Sequence, residues 1–288
     1  MMQAQYRAPG SVDEAVALMA GAGGKGRVLA GGTDLLVQMR AGVVAPGLIV
    51  DVKRIAEMTA ISQLAGAWRI GAAVTGAEIH DHAALRKAWP GVVEAINLIG
   101  SKQVQGRASA GGNLCNASPA ADSVPALVAA GAVATIQGPN GRRDVPVEQI
   151  PAGPGKTTLA PGEIVVSFTL PARPAGSGDA YLRLIPRTEM DIAVVGCGVN
   201  LTLKDGTCTA ARVSLGAVAP TVLLVEAAGK ALVGSKLDDK AIEAAASACR
   251  AACKPIDDKR GTIAYRTKIA GVLLKRAVAI AAERARKN

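Results

Sequence analysis

The chain has 288 residues, half of them hydrophobic and only 2% aromatic, with 33 Lys and Arg against 23 Asp and Glu and a formal net charge of +10. That length suffices for two ordinary domains with a sizeable core of Ala, Val, Leu and Ile, and charged residues at 19% exclude a disordered composition. The basic residues are scattered, with one dense cluster at Arg284, Arg286 and Lys287 and no interleaved aromatics, so the excess charge points to an anionic ligand or an acidic partner rather than to nucleic acid.

In chain order, Ser11-Val12-Asp13-Glu14 reads as a capping box opening a helix whose apolar face carries Val12, Ala15, Val16, Leu18 and Met19. Residues 27–30 read as a short buried strand, broken by Gly31-Gly32-Thr33-Asp34. Residues 35–40 follow as a helix or turn and 48–52 as a second strand, which makes a small α/β unit. A strand is predicted over 68–72, ending at a glycine, and helices over 75–82, 83–87 and 90–99. Residues 106–116, rich in glycine and small polar side chains, read as a loop. A short helix follows over 122–130, then strands over 132–137 and 163–170 around a hairpin near Pro139-Asn140-Gly141. The Pro/Gly-rich stretch 171–180 is the clearest linker and marks a domain boundary. Beyond it, strands are expected over 192–203 and 210–215 and Ala-rich helices over 240–252 and 266–282, a smaller α+β unit.

Five cysteines, Cys115, Cys197, Cys208, Cys249 and Cys253, form no CxxC pair; the odd count argues against a disulfide framework and a structural zinc site and implies a reducing cytoplasm. The start has no apolar export segment, and the longest apolar run, 124–136, is too short for a membrane span. His80 and His82 read as solvated helix surface rather than as metal ligands, and Cys115 as a packed small residue rather than a reactive thiol. Gly153-Pro154-Gly155-Lys156-Thr157-Thr158 lacks the spacing of a phosphate-binding P-loop and reads as a surface hairpin or loop.

Ala-Gly-Gly occurs twice, at 30–32 and 110–112, each time beside short hydrogen-bonding residues: Thr33 and Asp34, then Ser109 and Asn113. Glycine permits positive φ and lets a ligand approach the main chain, and successive amides in such a turn can cradle an anion. Each motif alone also fits an ordinary tight turn; two of them, some eighty residues apart, can grip one diphosphate from two sides.

Val28-Leu29-Ala30-Gly31-Gly32-Thr33-Asp34-Leu35-Leu36 closely resembles the first flavin-binding loop of the FAD (medium) subunits of the molybdenum hydroxylases, the family of carbon monoxide dehydrogenase and xanthine dehydrogenase. Ser109-Ala110-Gly111-Gly112-Asn113-Leu114, continued by Ser118-Pro119 and Asp122, resembles their second loop. Gly162-Glu163-Ile164, Arg187 with Asp191-Ile192-Ala193, and Tyr265-Arg266 with Leu274-Lys275-Arg276 extend the resemblance over nearly the whole chain. It implies an α+β chain: a vanillyl-alcohol-oxidase-type (PCMH-type) FAD-binding domain over 1–172, in subdomains of about 1–55 and 56–172, then a smaller α+β C-terminal domain over 177–288.

Carried over, the resemblance implies that Ala30 to Asp34, flanked by Leu29 and Leu35, wrap the FAD pyrophosphate. Ser109, Ala110, Gly111, Gly112, Asn113 and Leu114 would hold its other side, with Ser118 and Asp122 at the adenosine half or the loop itself and Ile164 beside the isoalloxazine. Arg183 stands where relatives often carry Lys near the flavin ring, which keeps the charge and changes the donor geometry. No catalytic residue for substrate chemistry and no metal is implied here. The partners implied are a [2Fe-2S] small subunit and a molybdenum-cofactor large subunit, as a dimer of heterotrimers in the cytoplasm, with FAD passing electrons to an external acceptor. Two alternatives stand beside this reading: a free-standing FAD-dependent dehydrogenase or oxidase, and a non-catalytic nucleotide-binding module.

Overall fold

In this computed structural model, which describes residues 4–288, Ser11 opens the first helix by accepting from the Glu14 amide at 3.2 Å. The Glu14 carboxylate accepts from the Gly10 N–H at 3.0 Å, one residue outside the position a capping box would give it. The first part of the chain is β1 (Gln5–Arg7), α1 (Val12–Gly21), β2 (Gly26–Leu29), α2 (Leu35–Arg40) and β3 (Leu48–Asp51). Its three strands pair in parallel in the order β1-β3-β2, and α1 buries Val12, Ala15 and Val16.

A helical stretch follows: α3 (Ala56–Thr59), then β4 (Ile61–Leu64) and β5 (Ala67–Gly71), then α4 (Gly76–Asp81), α5 (Ala83–Ala88), α6 (Pro90–Ile96), α7 (Lys102–Gln105), α8 (Ala110–Cys115) and α9 (Ser123–Ala130). The strands β6 (Val133–Gly138), β7 (Gly141–Pro146), β8 (Pro151–Gly153), β9 (Lys156–Thr157) and β10 (Ile164–Leu170) complete this part. Its main sheet is antiparallel, in the order β4-β5-β10-β6-β7, so β10 returns from far along the chain to the middle of the sheet. The C-terminal part is an antiparallel sheet of β11 (Ser177–Leu184), β12 (Val195–Lys204), β13 (Thr207–Gly216) and β14 (Leu223–Leu224), with α10 (Glu226–Leu232), α11 (Asp239–Ala252) and α12 (Ile263–Lys287).

The chain is thus α+β. One hydrophobic cluster runs through both parts of the first domain and includes Trp68, Trp89, Ile136 and Phe168; a second, including Val199, Leu215, Leu274 and Val278, fills the C-terminal domain. Alanine gives the second cluster its closeness. α12 lays Ala277, Ala281 and Ala285 against the sheet, and a Cβ on Gly178 would stand 2.0 Å from the Ala281 carbonyl. Among the described residues no helix is long and apolar enough to cross a membrane.

Several expectations are corrected. The stretch 106–116 is not all loop: Ser109, in extended conformation, accepts from the Gly112 amide at 3.1 Å and starts α8, in which Gly111 is required by packing, not by a turn. The proposed linker is shorter than 171–180, because β11 starts at Ser177. Helix α6 stops at Ile96 rather than near 99. His82 is no solvated side chain. Its Nδ1 accepts from the Leu85 amide at 3.2 Å and caps α5, and its ring meets Trp68 edge-on at 5.2 Å. Strands β4 and β7 and helix α10 were not foreseen. β4 leaves Leu64 82% exposed, and β7 is a charged edge strand whose Arg142 and Arg143 pair with Glu57 and Glu163.

The two long C-terminal helices are also tied electrostatically. Glu243 of α11 bonds Lys275 of α12 and Arg250 of its own helix, and these partners hold its carboxyl down to about 2. Its folded pKa lies below the ordinary 4.5, so the contribution is present above that pH and lost as pH falls through the folded value. The pair is exposed, so the effect is small. We expect Glu243→Gln to lower Tm at pH 7 by only about 1–3 °C. The gap from wild type should close as pH drops from about 4.5 towards 2 in scanning calorimetry; a gap that persists in acid would contradict this account.

Candidate cofactor site

The first glycine loop leaves β2 at Leu29 and is pinned from behind. Lys53 Nζ donates to the Ala30 carbonyl at 3.0 Å and to Asp51 at 2.7 Å, and Asp51 accepts from the Tyr6 hydroxyl at 2.6 Å. Gly31 lies against the second loop's main chain, where a Cβ would stand 1.9 Å from the Arg107 carbonyl oxygen. Gly32 has φ +78°, a left-handed conformation that disfavours any side chain, and its carbonyl accepts from the Leu36 amide at 3.0 Å as α2 begins. Asp34 follows; burial raises its carboxyl pKa.

The second loop is held as firmly. Ser109 forms an isolated antiparallel bridge to Thr75, and Gly111 rests on β5's end, where a Cβ would lie 2.3 Å from the Ala72 carbonyl. Asn113 Oδ1 accepts from both the amide (3.2 Å) and the hydroxyl (2.6 Å) of Ser123, the first residue of α9. That commits the side-chain oxygen and leaves its NH2 group as a donor. Gln38 of α2 donates to Asn116 Oδ1 at 2.8 Å and ties α2 to the end of α8 along the cleft.

Between the loops lies a cleft of about 640 Å³, within the range of about 300–1,000 Å³ common for ligand sites. Ala30, Gly31, Gly32, Thr33, Asp34 and Leu35 line it from one side, Ser109, Gly111, Gly112 and Asn113 from the other, and Ile164 from β10. Six expected residues are not on its wall. Leu29 and Ala110 stand behind the loops, and Leu114 is fully buried in the core. Ser118 Oγ accepts from the Ala120 amide, and Asp122 and Arg183 are committed to each other at 2.6 Å. Sequence reasoning missed Gln38, Val43 and Ile99, which share the wall. Gln38 carried a signal, since it follows Leu35 by three residues on the same short helix. The stretch 153–158, expected as a surface hairpin or loop, falls in the β8–β9 hairpin, and its Gly155 and Thr157 reach the cleft rim.

Gly112 is the open glycine of the set. It lines the cleft, and a Cβ there would meet only Ser109 Oγ, at 3.3 Å. A ligand can therefore approach the main chain at Gly112, beside the Asn113 amide group, over an aliphatic wall of Val28, Ile99, Leu159 and Ile164. These residues fit an elongated molecule with a diphosphate to receive N–H donors and a flat apolar ring.

Residues 2–173 match the family model described as the FAD binding domain in molybdopterin dehydrogenase, and residues 180–281 match the CO dehydrogenase flavoprotein C-terminal domain. The chain belongs to this family, the FAD-binding subunits of the molybdenum hydroxylases. It is 35% identical to the carbon monoxide dehydrogenase medium chain of Hydrogenophaga pseudoflava, over 95% of each chain. It is 28% identical to the xanthine dehydrogenase FAD-binding subunit of Escherichia coli O157:H7, over 96% of this chain and 94% of that one. Among solved structures, reconstituted CO dehydrogenase from Oligotropha carboxidovorans superposes with a TM-score of 0.94 at 35% identity, covering 98% of each chain. Quinoline 2-oxidoreductase from Pseudomonas putida 86 does so at 0.89 and 29%, with the same coverage. The cofactor is FAD, and the chain is an oxidoreductase subunit.

The glycines of the two loops separate structural from ligand-facing roles. We expect Gly31→Ala to destabilise the apoprotein, because backbone at 1.9 Å cannot yield without parting the loops. Gly112→Ala, inside a helix, should leave apoprotein stability equal or slightly higher, Ala being favoured over Gly there by up to ~1 kcal/mol, yet weaken FAD binding at least about tenfold. Thermal melts of apoprotein beside fluorescence titration with FAD test the pair; a Gly112→Ala protein with unchanged FAD affinity would remove this glycine from the site.

Proposed function

We propose that the chain is the electron-transferring FAD subunit of a cytoplasmic complex with a [2Fe-2S] small subunit and a molybdenum-cofactor large subunit, assembled as a dimer of heterotrimers. The observation that supports this best is the pairing of a two-loop cleft with similarity to medium chains along almost the whole chain. Bound FAD supplies the redox chemistry, taking up electrons from the iron–sulfur partner and releasing them as a pair to an external acceptor.

The chain's own residues bind and orient. Main-chain amides from Gly31 to Asp34, with the Asn113 NH2 group, face the diphosphate, and the bare Gly112 main chain leaves room for it. Thr33 and Ser109 supply hydroxyls, although Ser109 Oγ already accepts from Gly112 and is left with its proton to donate. Asp34 suits a different part of the ligand. A carboxylate repels phosphate, so it accepts from ribityl or ribose hydroxyls, a role its raised pKa does not oppose. Ile164, on the central strand of the five-stranded sheet, gives the flavin ring a fixed apolar floor.

Two measurements test this reading. Purified protein should be yellow and release FAD, not FMN, on denaturation; protein that takes up no FAD on reconstitution would sink the proposal. Isolated, the FAD-loaded chain should reduce no artificial acceptor with any organic substrate, and activity should appear only with both partners. Rapid flavin reduction by an organic substrate in a stopped-flow instrument, with no partner present, would favour a free-standing dehydrogenase.

A further inference from the structure

Lys53 ties together the three parallel strands near their carboxyl ends. Its ammonium donates to the Ala30 carbonyl, just past β2, and to Asp51 Oδ1 at the end of β3. The Lys53 main-chain amide donates to the same Oδ1 at 3.0 Å, and Asp51 Oδ2 accepts from the hydroxyl of Tyr6 on β1. Burial alone would raise the Asp51 carboxyl pKa, but the donors from Lys53 and Tyr6 outweigh it and hold it below its ordinary value. Asp51 is therefore ionised and fixes the ammonium in place. Lys53 does not line the cofactor cleft, although its neighbour Val52 does, so it acts on the first loop from behind.

The peptide that Lys53 holds joins Ala30 to Gly31. Among the described residues there is no cis peptide bond, and in a trans peptide the carbonyl and the N–H point in opposite directions. Fixing the Ala30 carbonyl on Lys53, off the cleft wall, therefore aims the Gly31 N–H the other way. Gly31, Gly32, Thr33 and Asp34 lie between β2 and α2, and among the described residues none of their N–H groups has an acceptor within the chain. Rotation of the 30–31 peptide changes ψ of Ala30 and φ of Gly31, and glycine accepts either sign of φ. A rotated peptide would present a carbonyl oxygen to an anion in place of an N–H. A cation bonded to the carbonyl opposes that rotation and also polarises the peptide, which strengthens its N–H as a donor.

We infer that Lys53 is a positioning residue for FAD: from behind the first loop, braced by Asp51 and Tyr6, it holds the Ala30–Gly31 peptide with its N–H towards the diphosphate. This rests on the reading that the amides of Gly31 to Asp34 face that diphosphate. A hydrogen-bonded contact of this kind is insensitive to salt, whereas attraction between an ammonium and a more distant phosphate is screened.

The test titrates the full-length apoprotein with FAD by fluorescence, comparing wild type with Lys53→Met, Lys53→Arg and Tyr6→Phe. Lys53→Met should bind FAD about tenfold more weakly, and that ratio should be the same at about 0.05 and 0.5 M salt. Lys53→Arg, which keeps the cation and its donors, should recover to within about threefold of wild type. Tyr6→Phe removes only the brace on Asp51 and should lose about threefold. If Lys53→Met fails to fold, Tyr6→Phe decides alone, since Tyr6 is 53% exposed and the change removes only its hydroxyl. Unchanged affinity in the deciding variant overturns the inference. So does a Lys53→Met loss that vanishes at the higher salt, which would mark simple charge attraction, or one that Lys53→Arg does not recover. Unchanged FAD affinity in Gly112→Ala overturns the cofactor-site reading, and the inference with it, so the two failures are told apart.

Discussion

The cleft exists because two loops touch through their main chains. Gly31 against the Arg107 carbonyl and Gly111 against the Ala72 carbonyl are contacts no other residue permits. The first brings the parallel three-stranded unit against the antiparallel five-stranded unit, the second seats the second loop on the end of β5, and the cleft is the space left beside that seam. In the same motifs the second glycine does something else. Gly32 supplies a left-handed turn, and Gly112 leaves the main chain open to the ligand. A repeated Ala-Gly-Gly therefore carries different physical roles at its two glycines, and only one of the four positions is reserved for the ligand by open space alone.

Buried charge marks the second seam, between the FAD-binding and C-terminal parts. Besides Asp122–Arg183, Asp179 pairs with Arg173 at 3.0 Å and accepts from the Val92 amide, while the Arg173 guanidinium stacks on Trp89 at 4.4 Å. Burial raises the Asp179 carboxyl pKa and lowers that of the Arg173 guanidinium, so each is less readily charged than in water and depends on its partner. Such pairs add little net stability, because desolvation offsets attraction, but losing one partner leaves an uncompensated charge and costs about 3–5 kcal/mol. Their effect is to allow one relative placement of the domains and to penalise others. A cofactor site whose Asn113 leans on α9 benefits from that rigidity.

Periodicity and capping made most elements legible. Ser11 as the start of the first helix, the strand ending at Gly71, and the apolar face of 12–19 were legible because each element is specified locally. The failures lie where tertiary contact overrides local preference. Ser109-Ala110-Gly111-Gly112 has loop composition but becomes helical because Ser109 caps it and β5 receives Gly111. Ser177 to Ala180 resembles linker, yet it pairs with β12 and meets α12 at backbone distance through Gly178. Among the site residues, glycines and short polar groups were visible as a motif. Val43 and Ile99 come from elements joined only by the fold, and nothing local distinguishes them from core or surface, whereas Gln38 is marked only by its place three residues after Leu35 on α2.

The distribution of charge completes the account of how an anion is held. Despite the excess of +10, the cleft wall carries one cation, Arg27, and two carboxylates, Asp34 and Glu163. Arg27 Nη1 donates to the Gly24 and Gly26 carbonyls, and Glu163 forms a bidentate pair with Arg143. On the proposed reading, a diphosphate here would meet mainly main-chain and side-chain amides. Fixed dipoles need no counter-charge and can stand beside the Asp34 carboxylate. The basic excess lies elsewhere, for example along the open groove between α11 and α12, where Arg250, Lys268, Lys275 and Arg276 face one carboxylate, Glu243. Of the two sequence explanations for the charge, an anionic ligand in this cleft accounts for little of it, because the cleft wall carries one cation against two carboxylates.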